Sequence, residues 1–202
     1  MTASFLILHG IANARPPEHW QFWLAARLAE RGHQVLYPSL PDADAPTFDG
    51  WSRVLRDQLA RLEGSERVVV CHSLSCLLWF RVAASLGEDD RVDRLLLVSP
   101  PASEQVPEEG ADLRLREFDP EPVRTSARGE IRIVCSDADP YNPAGAQELY
   151  AAPLGITADV LPGAEHITPS SGFGPWPFAE EWCTGGALTS ARSRWTGLGG
   201  VT

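Results

Sequence analysis

Side chains able to attack carbon or carry a proton stand just beyond short apolar runs: His9 after "SFLIL", Ser73 after "ERVVVCH", Asp137 and Asp139 after "EIRIVCS", and His166 after "TADVLP". Together they offer a hydroxyl nucleophile, a base and a carboxylate. A serine hydroxyl is a weak nucleophile until a neutral imidazole takes its proton. The imidazole in turn needs a buried carboxylate to fix its tautomer and stabilise the cation that forms. The chemistry in view is therefore acyl transfer.

The elements that must position these groups can be read from the apolar pattern. Residues 3–9, 33–38, 66–72, 92–100, 130–136 and 157–162 are uniformly apolar rather than alternating, as suits strands buried on both faces. Residues 18–32, 48–64, 74–87 and 142–152 have helical spacing; in the second, Trp51, Val54, Leu55, Leu59 and Leu62 share a face, and Gly64 stands where a C-cap belongs. Alternation of the two kinds predicts a three-layer α/β fold with a mostly parallel sheet of about six strands. In such sheets, ligands gather beyond the carboxyl ends of the strands, where the side chains above stand.

Two segments break the rhythm. Residues 101–129 are polar and Pro-rich, a loop excursion with room for one short helix, too small for a large cap domain. Residues 184–202 are rich in Gly, Ser and Thr and are read as a flexible tail after one domain spanning 1–183.

The order Ser, Asp, His is that of the α/β-hydrolases. Their nucleophile usually sits in G-x-S-x-G, a sharp strand-to-helix turn with small neighbours, whereas here the string is "CHSLS", with Cys71 and Ser75 at the glycine positions. An apolar run before it and a helical run after it place Ser73 at the turn. Ser75 falls in the first turn of the helix, a small residue at a close helix–sheet contact. Leu74, at the start of that helix, offers a backbone N–H to a developing oxyanion.

Four passages, "LILHGIANARPPEHWQFWL", "CHSLSC", "SDADPYNP" and "PGAEHITPSSGFGPWP", together resemble the small α/β-hydrolases related to retinoblastoma-binding protein nine and the YdeN-like serine hydrolases, over residues 4–183. The resemblance implies a nucleophile at Ser73, a carboxylate at Asp139 and a base at His166. It also implies a second oxyanion donor at Ile11, from likeness to hydrolases with an HG turn. Where that family has glycine before its histidine, this chain has Glu165. Spacing alone does not choose between Asp137 and Asp139. Pro140 ends any strand ladder beside Asp139 and favours it, leaving Asp137 to cap the loop.

The formal charge of −10 and the lack of a basic cluster argue against nucleic-acid or acidic-membrane partners. "FLILHG" is far shorter than a bilayer span of roughly 20 residues. Cys71, Cys76, Cys135 and Cys183 lack metal-type pairing and read as reduced core residues of a cytoplasmic protein. His9 and His72 are expected to donate to backbone, His33 to lie at the surface, and Trp176 to order the loop of His166. The histidines are scattered singly, so no zinc site or other cofactor is expected.

The expected function is hydrolysis of a small ester, thioester or amide through an acyl-serine, in a pocket set by residues 11–18 and 101–129. Two alternatives share the fold. One is a catalytically weak protein-binding module; the other is a biosynthetic thioesterase that releases or cyclises an acyl chain. No protein partner is indicated by the sequence.

Overall fold

The computed structural model describes residues 2–185. Six strands form one sheet: β1 (Ala3–Leu8), β2 (Gln34–Leu36), β3 (Glu66–His72), β4 (Arg94–Val98), β5 (Ile131–Ser136) and β6 (Asp159–Leu161). The order is β2-β1-β3-β4-β5-β6 and every pairing is parallel. The uniform apolarity of the strands has its explanation in two cores. Leu6, Leu8, Val69, Cys71, Leu95 and Leu97 point into one, while Phe5, Ile7, Val68, Val70, Leu96 and Val98 point into the other.

Helices cover both faces, as the alternation predicts. α1 (Trp20–Glu30) and α6 (Pro177–Cys183) pack on the Phe5 side through Trp20, Leu24, Leu28, Phe178 and Trp182. α2 (Phe48–Leu59), α3 (Leu74–Ala83), α4 (Pro120–Thr125) and α5 (Ala152–Leu154) lie on the other. α3 runs across the sheet centre under α2 and α4, so all but one of its side chains are buried and it shows no polar stripe.

Several boundaries differ from the sequence reading. α2 ends at Leu59 with Ala60 as its cap; Gly64 lies beyond it, where a β-carbon would come within 2.5 Å of the Ser4 backbone nitrogen. Gly64 thus serves close approach to β1 rather than helix termination. The helix expected over 142–152 starts only after Gly145, whose φ of +86° interrupts the chain, and runs as a π-helical turn (Gln147–Ala151) into α5. α6 was not foreseen. Pro177 supplies a preset first turn, and Arg94 donates to the carbonyl oxygens of Trp182 and Cys183 at its end.

Residues 101–129 hold two 3-10 turns (Ser103–Gln105 and Glu108–Leu113) besides α4, pinned by the buried side chains of Val106, Leu113 and Val123. The four cysteines are free and buried. Of the expected tail, 186–202 lies outside the described residues.

From β1 the chain steps outward to β2, then returns past β1 to β3 and onward to β6. The crevice for a ligand therefore opens between the carboxyl ends of β1 and β3.

Candidate active site

Ser73 follows β3 with φ 58° and ψ −127° and opens directly into α3. That backbone disfavours any residue with a β-carbon by roughly 1–2 kcal/mol, so the surroundings must hold it there. The Ser73 N–H donates to Val98 O at 2.9 Å, and the Cys76 N–H returns to Ser73 O at 2.9 Å. Ser75 does more than fill space. Its hydroxyl accepts the His72 N–H at 3.0 Å and lies 2.9 Å from the carbonyl oxygens of both Leu8 and His72, either of which can take its proton. The serine in place of glycine therefore stitches the ends of β1 and β3 to the first turn of α3. Cys71 is sealed in the core, and burial pushes its thiol up, out of thiolate chemistry at neutral pH.

His166 sits on the loop after β6, between Glu165 (φ 47°) and Ile167 (φ 51°). A positive φ favours glycine, so Glu165 and Ile167 hold these turns at a conformational cost. Three bonds hold the loop. Trp20 Nε1 donates to Ile167 O at 3.0 Å, His72 Nε2 lies 3.0 Å from His166 O, and the Gly163 N–H donates to Asp137 Oδ1 at 2.7 Å. Trp176 packs edge-to-face on Trp20 at 5.0 Å, behind the same loop.

Asp139 is 3% exposed, and its Oδ1 accepts the Tyr141 N–H at 2.9 Å. His166 Nδ1 lies 2.9 Å and 3.0 Å from its two carboxylate oxygens, while His166 Nε2 lies 2.8 Å from Ser73 Oγ. The structure thus brings Ser73, His166 and Asp139 into one hydrogen-bonded series. Asp137 is exposed and bonds to the loop instead. With Nδ1–H directed at a carboxylate, the free lone pair of His166 faces the serine, and such an arrangement can accept the serine proton.

Three further imidazoles surround the series. His9 Nε2 accepts the Leu40 N–H at 2.9 Å, so its Nδ1 carries the proton directed at Gly10 O. His72 Nε2 must likewise be protonated toward the His166 carbonyl. His19 caps α1, its Nδ1 accepting the Gln21 N–H at 3.2 Å. Burial lowers the pKa of all three; that of His19 falls to about 4, with His9 and His166 adding repulsion. His33, expected at the surface, is half-buried, accepts the Ala3 N–H and meets the Phe5 ring edge-on.

A cavity of about 490 Å³ opens over Ser73. Ile11 and Leu74 line it, and Leu74 is the first residue of α3, where N–H groups lack intrahelical partners. Residues 11–16 and 101–107 contribute walls, as expected; so does the loop 165–170, which was not foreseen. Among the described residues, no group of three His, Cys, Asp or Glu is placed to hold a metal ion, and no helix is long and apolar enough to cross a membrane.

A family model described as "serine hydrolase" matches residues 5–183. The chain belongs to the serine hydrolase family. Among solved structures, this serine hydrolase resembles the ydeN gene product of B. subtilis, with a TM-score of 0.76 and 22% identity over 91% of this chain and 98% of that one. A YdeN-like hydrolase from Pectobacterium atrosepticum gives 0.69 and 18% over 91% and 90%. The esterase domain of a Rhodothermus marinus protein gives 0.53 and 17% over 84% and 80%. At such identities the likeness carries the α/β-hydrolase fold. A comparison with curated proteins found no match.

Two features of the site were not read from the sequence. One is the packing of Ser73 against Gly10, although the "HG" pair itself stood out at the end of the first apolar run. The other is His19, whose place before "WQ" marks a helix cap but not the cavity wall it also forms.

Proposed function

We propose that this serine hydrolase cleaves a small ester, in the manner of a carboxylesterase, through an acyl-serine formed on Ser73. The observation that carries the reading is His166, held within 2.8 Å of Ser73 Oγ and 2.9 Å of Asp139. His166 Nε2 takes the Ser73 proton as Oγ attacks the acyl carbon, and Asp139 stabilises the imidazolium. The N–H groups of Leu74 and Ile11 receive the developing oxyanion. His166 then returns the proton to the leaving oxygen, and water repeats the sequence in reverse to free the acid. A thioester or an activated amide could follow the same course.

The unbroken series weighs against a binding module with vestigial chemistry, because a binding surface needs no serine held at positive φ. The test is labelling with a fluorophosphonate probe, followed by p-nitrophenyl esters of graded chain length. Stoichiometric labelling of Ser73 and loss of turnover in Ser73→Ala are expected. Full turnover in that variant would sink the reading.

A further inference from the structure

The cavity has two unlike sides. On one, Leu74, Ile11 and Val106 converge over Gly110, where a β-carbon would lie 3.0–3.1 Å from a side-chain carbon of each. That wall is apolar and includes Leu74, the residue after the serine. On the other side stands His166, flanked by Glu165 in the chain and by the Tyr141 ring, whose centre lies 4.6 Å from that of the imidazole. Tyr141 is 44% exposed, so part of its ring is free to meet a ligand.

Reaction geometry gives the two sides different tasks. The general acid must reach the leaving oxygen, so the departing alcohol lies beside His166 while the acyl chain extends away from it. The residues beside His166 in the cavity lining are Tyr141 and Glu165. The chain has arginines but no lysine, and among the described residues no arginine lines the cavity. The Thr168 and Ser170 hydroxyls at this end bond to each other at 2.8 Å. Asp139 behind the imidazole adds a second negative charge, in a molecule whose formal charge is −10.

We propose that the alcohol side of this cavity is a cation-selective subsite in which Glu165 and Tyr141 receive a positively charged leaving group. It favours acyl esters of amino or quaternary-ammonium alcohols over anionic ones. The inference rests on the acyl-serine reading above. A carboxylate at the rim attracts the cation, and the open part of an aromatic ring supplies the attraction that quaternary ammonium groups find in aromatic sites. Hydrolysis breaks the acyl–oxygen bond. The alcohol oxygen takes its proton from His166, the alcohol leaves with its positive charge, and water supplies the oxygen of the released acid.

Three butyrate esters of similar size test it: choline, its uncharged isostere 3,3-dimethylbutanol, and the anionic isethionate. The kcat/KM should fall in that order, by roughly three- to tenfold at each step at low salt, with the spread shrinking at high salt. Glu165→Gln and Tyr141→Leu should each lower the choline-to-neutral ratio by roughly two- to threefold, toward one. A ratio of one or less in the natural protein would overturn the inference, as would a ratio untouched by Glu165→Gln, while leaving the acyl-serine reading intact. If the probe labels Ser73 without ester turnover, the same ratio is read from how strongly free choline and free 3,3-dimethylbutanol slow labelling. If Ser73 is neither labelled nor needed for turnover, the acyl-serine reading fails and the subsite falls with it.

Discussion

Gly10 and Ser73 are packed so closely that a β-carbon on Gly10 would lie 2.7 Å from Ser73 Cβ and 3.1 Å from its Oγ. Real β-carbons do not approach that far, so any side chain at position 10 must displace the serine or the turn of His9. Gly10→Ala should lower kcat/KM for a p-nitrophenyl ester by about a hundredfold, since a misplacement of roughly 1 Å has that cost. Slower probe labelling with an unchanged circular dichroism spectrum would confirm displacement; wild-type labelling would refute it.

Asp139→Asn and Asp137→Asn separate the two carboxylates in one assay. The first leaves His166 without an ionised partner and should reduce kcat by on the order of 10³- to 10⁴-fold. In the second, an amide oxygen can still accept the Gly163 N–H, and activity should stay within about threefold. Equal losses would contradict the assignment of Asp139.

Ser75→Gly and Ser75→Ala both strip the hydroxyl from the turn and leave the buried His72 N–H without its acceptor. Either should destabilise the fold by about 1–3 kcal/mol, read as a lowered denaturant midpoint. Installing the usual elbow glycine is therefore expected to harm this protein. A stabilised Ser75→Gly variant would show that the hydroxyl is incidental.

Acid stability should carry the signature of the buried imidazoles. His19 stays neutral in the native state down to about pH 4, whereas its ordinary value is 6.5. Between those values the unfolded chain binds more protons, so stability falls as pH falls, by at most about 1.4 kcal/mol per pH unit for each such histidine. His19→Asn keeps a cap for α1 and removes the titration. Its melting temperature should therefore vary less with pH across this window, and an unchanged slope would assign the acid sensitivity elsewhere.

The nucleophile was legible because its context is local: four apolar residues, a turn and an apolar helix adjoin Ser73 in the chain. Asp139 and His166 were readable from strand ends and order. What joins them was not, because the ties cross the molecule. Trp20 reaches Ile167 over 147 positions, and His72 reaches His166 over 94. Short elements also hid. α6 spans seven residues, too few to set a helical period against its aromatic neighbours, and it draws its last partners from Arg94 on β4. Gly64 looked like a cap because only the fold reveals β1 beside it.

The bond from Trp20 to Ile167 makes the site a reporter of its own assembly. A chain emerging from synthesis presents the serine long before it presents the histidine. Even then the histidine loop lacks its tie to Trp20 until the last strand has docked and the first helix lies in place behind it. Probe reactivity at Ser73 should consequently appear late in refolding, in step with the slowest spectroscopic phase, and serve as a clock for its completion.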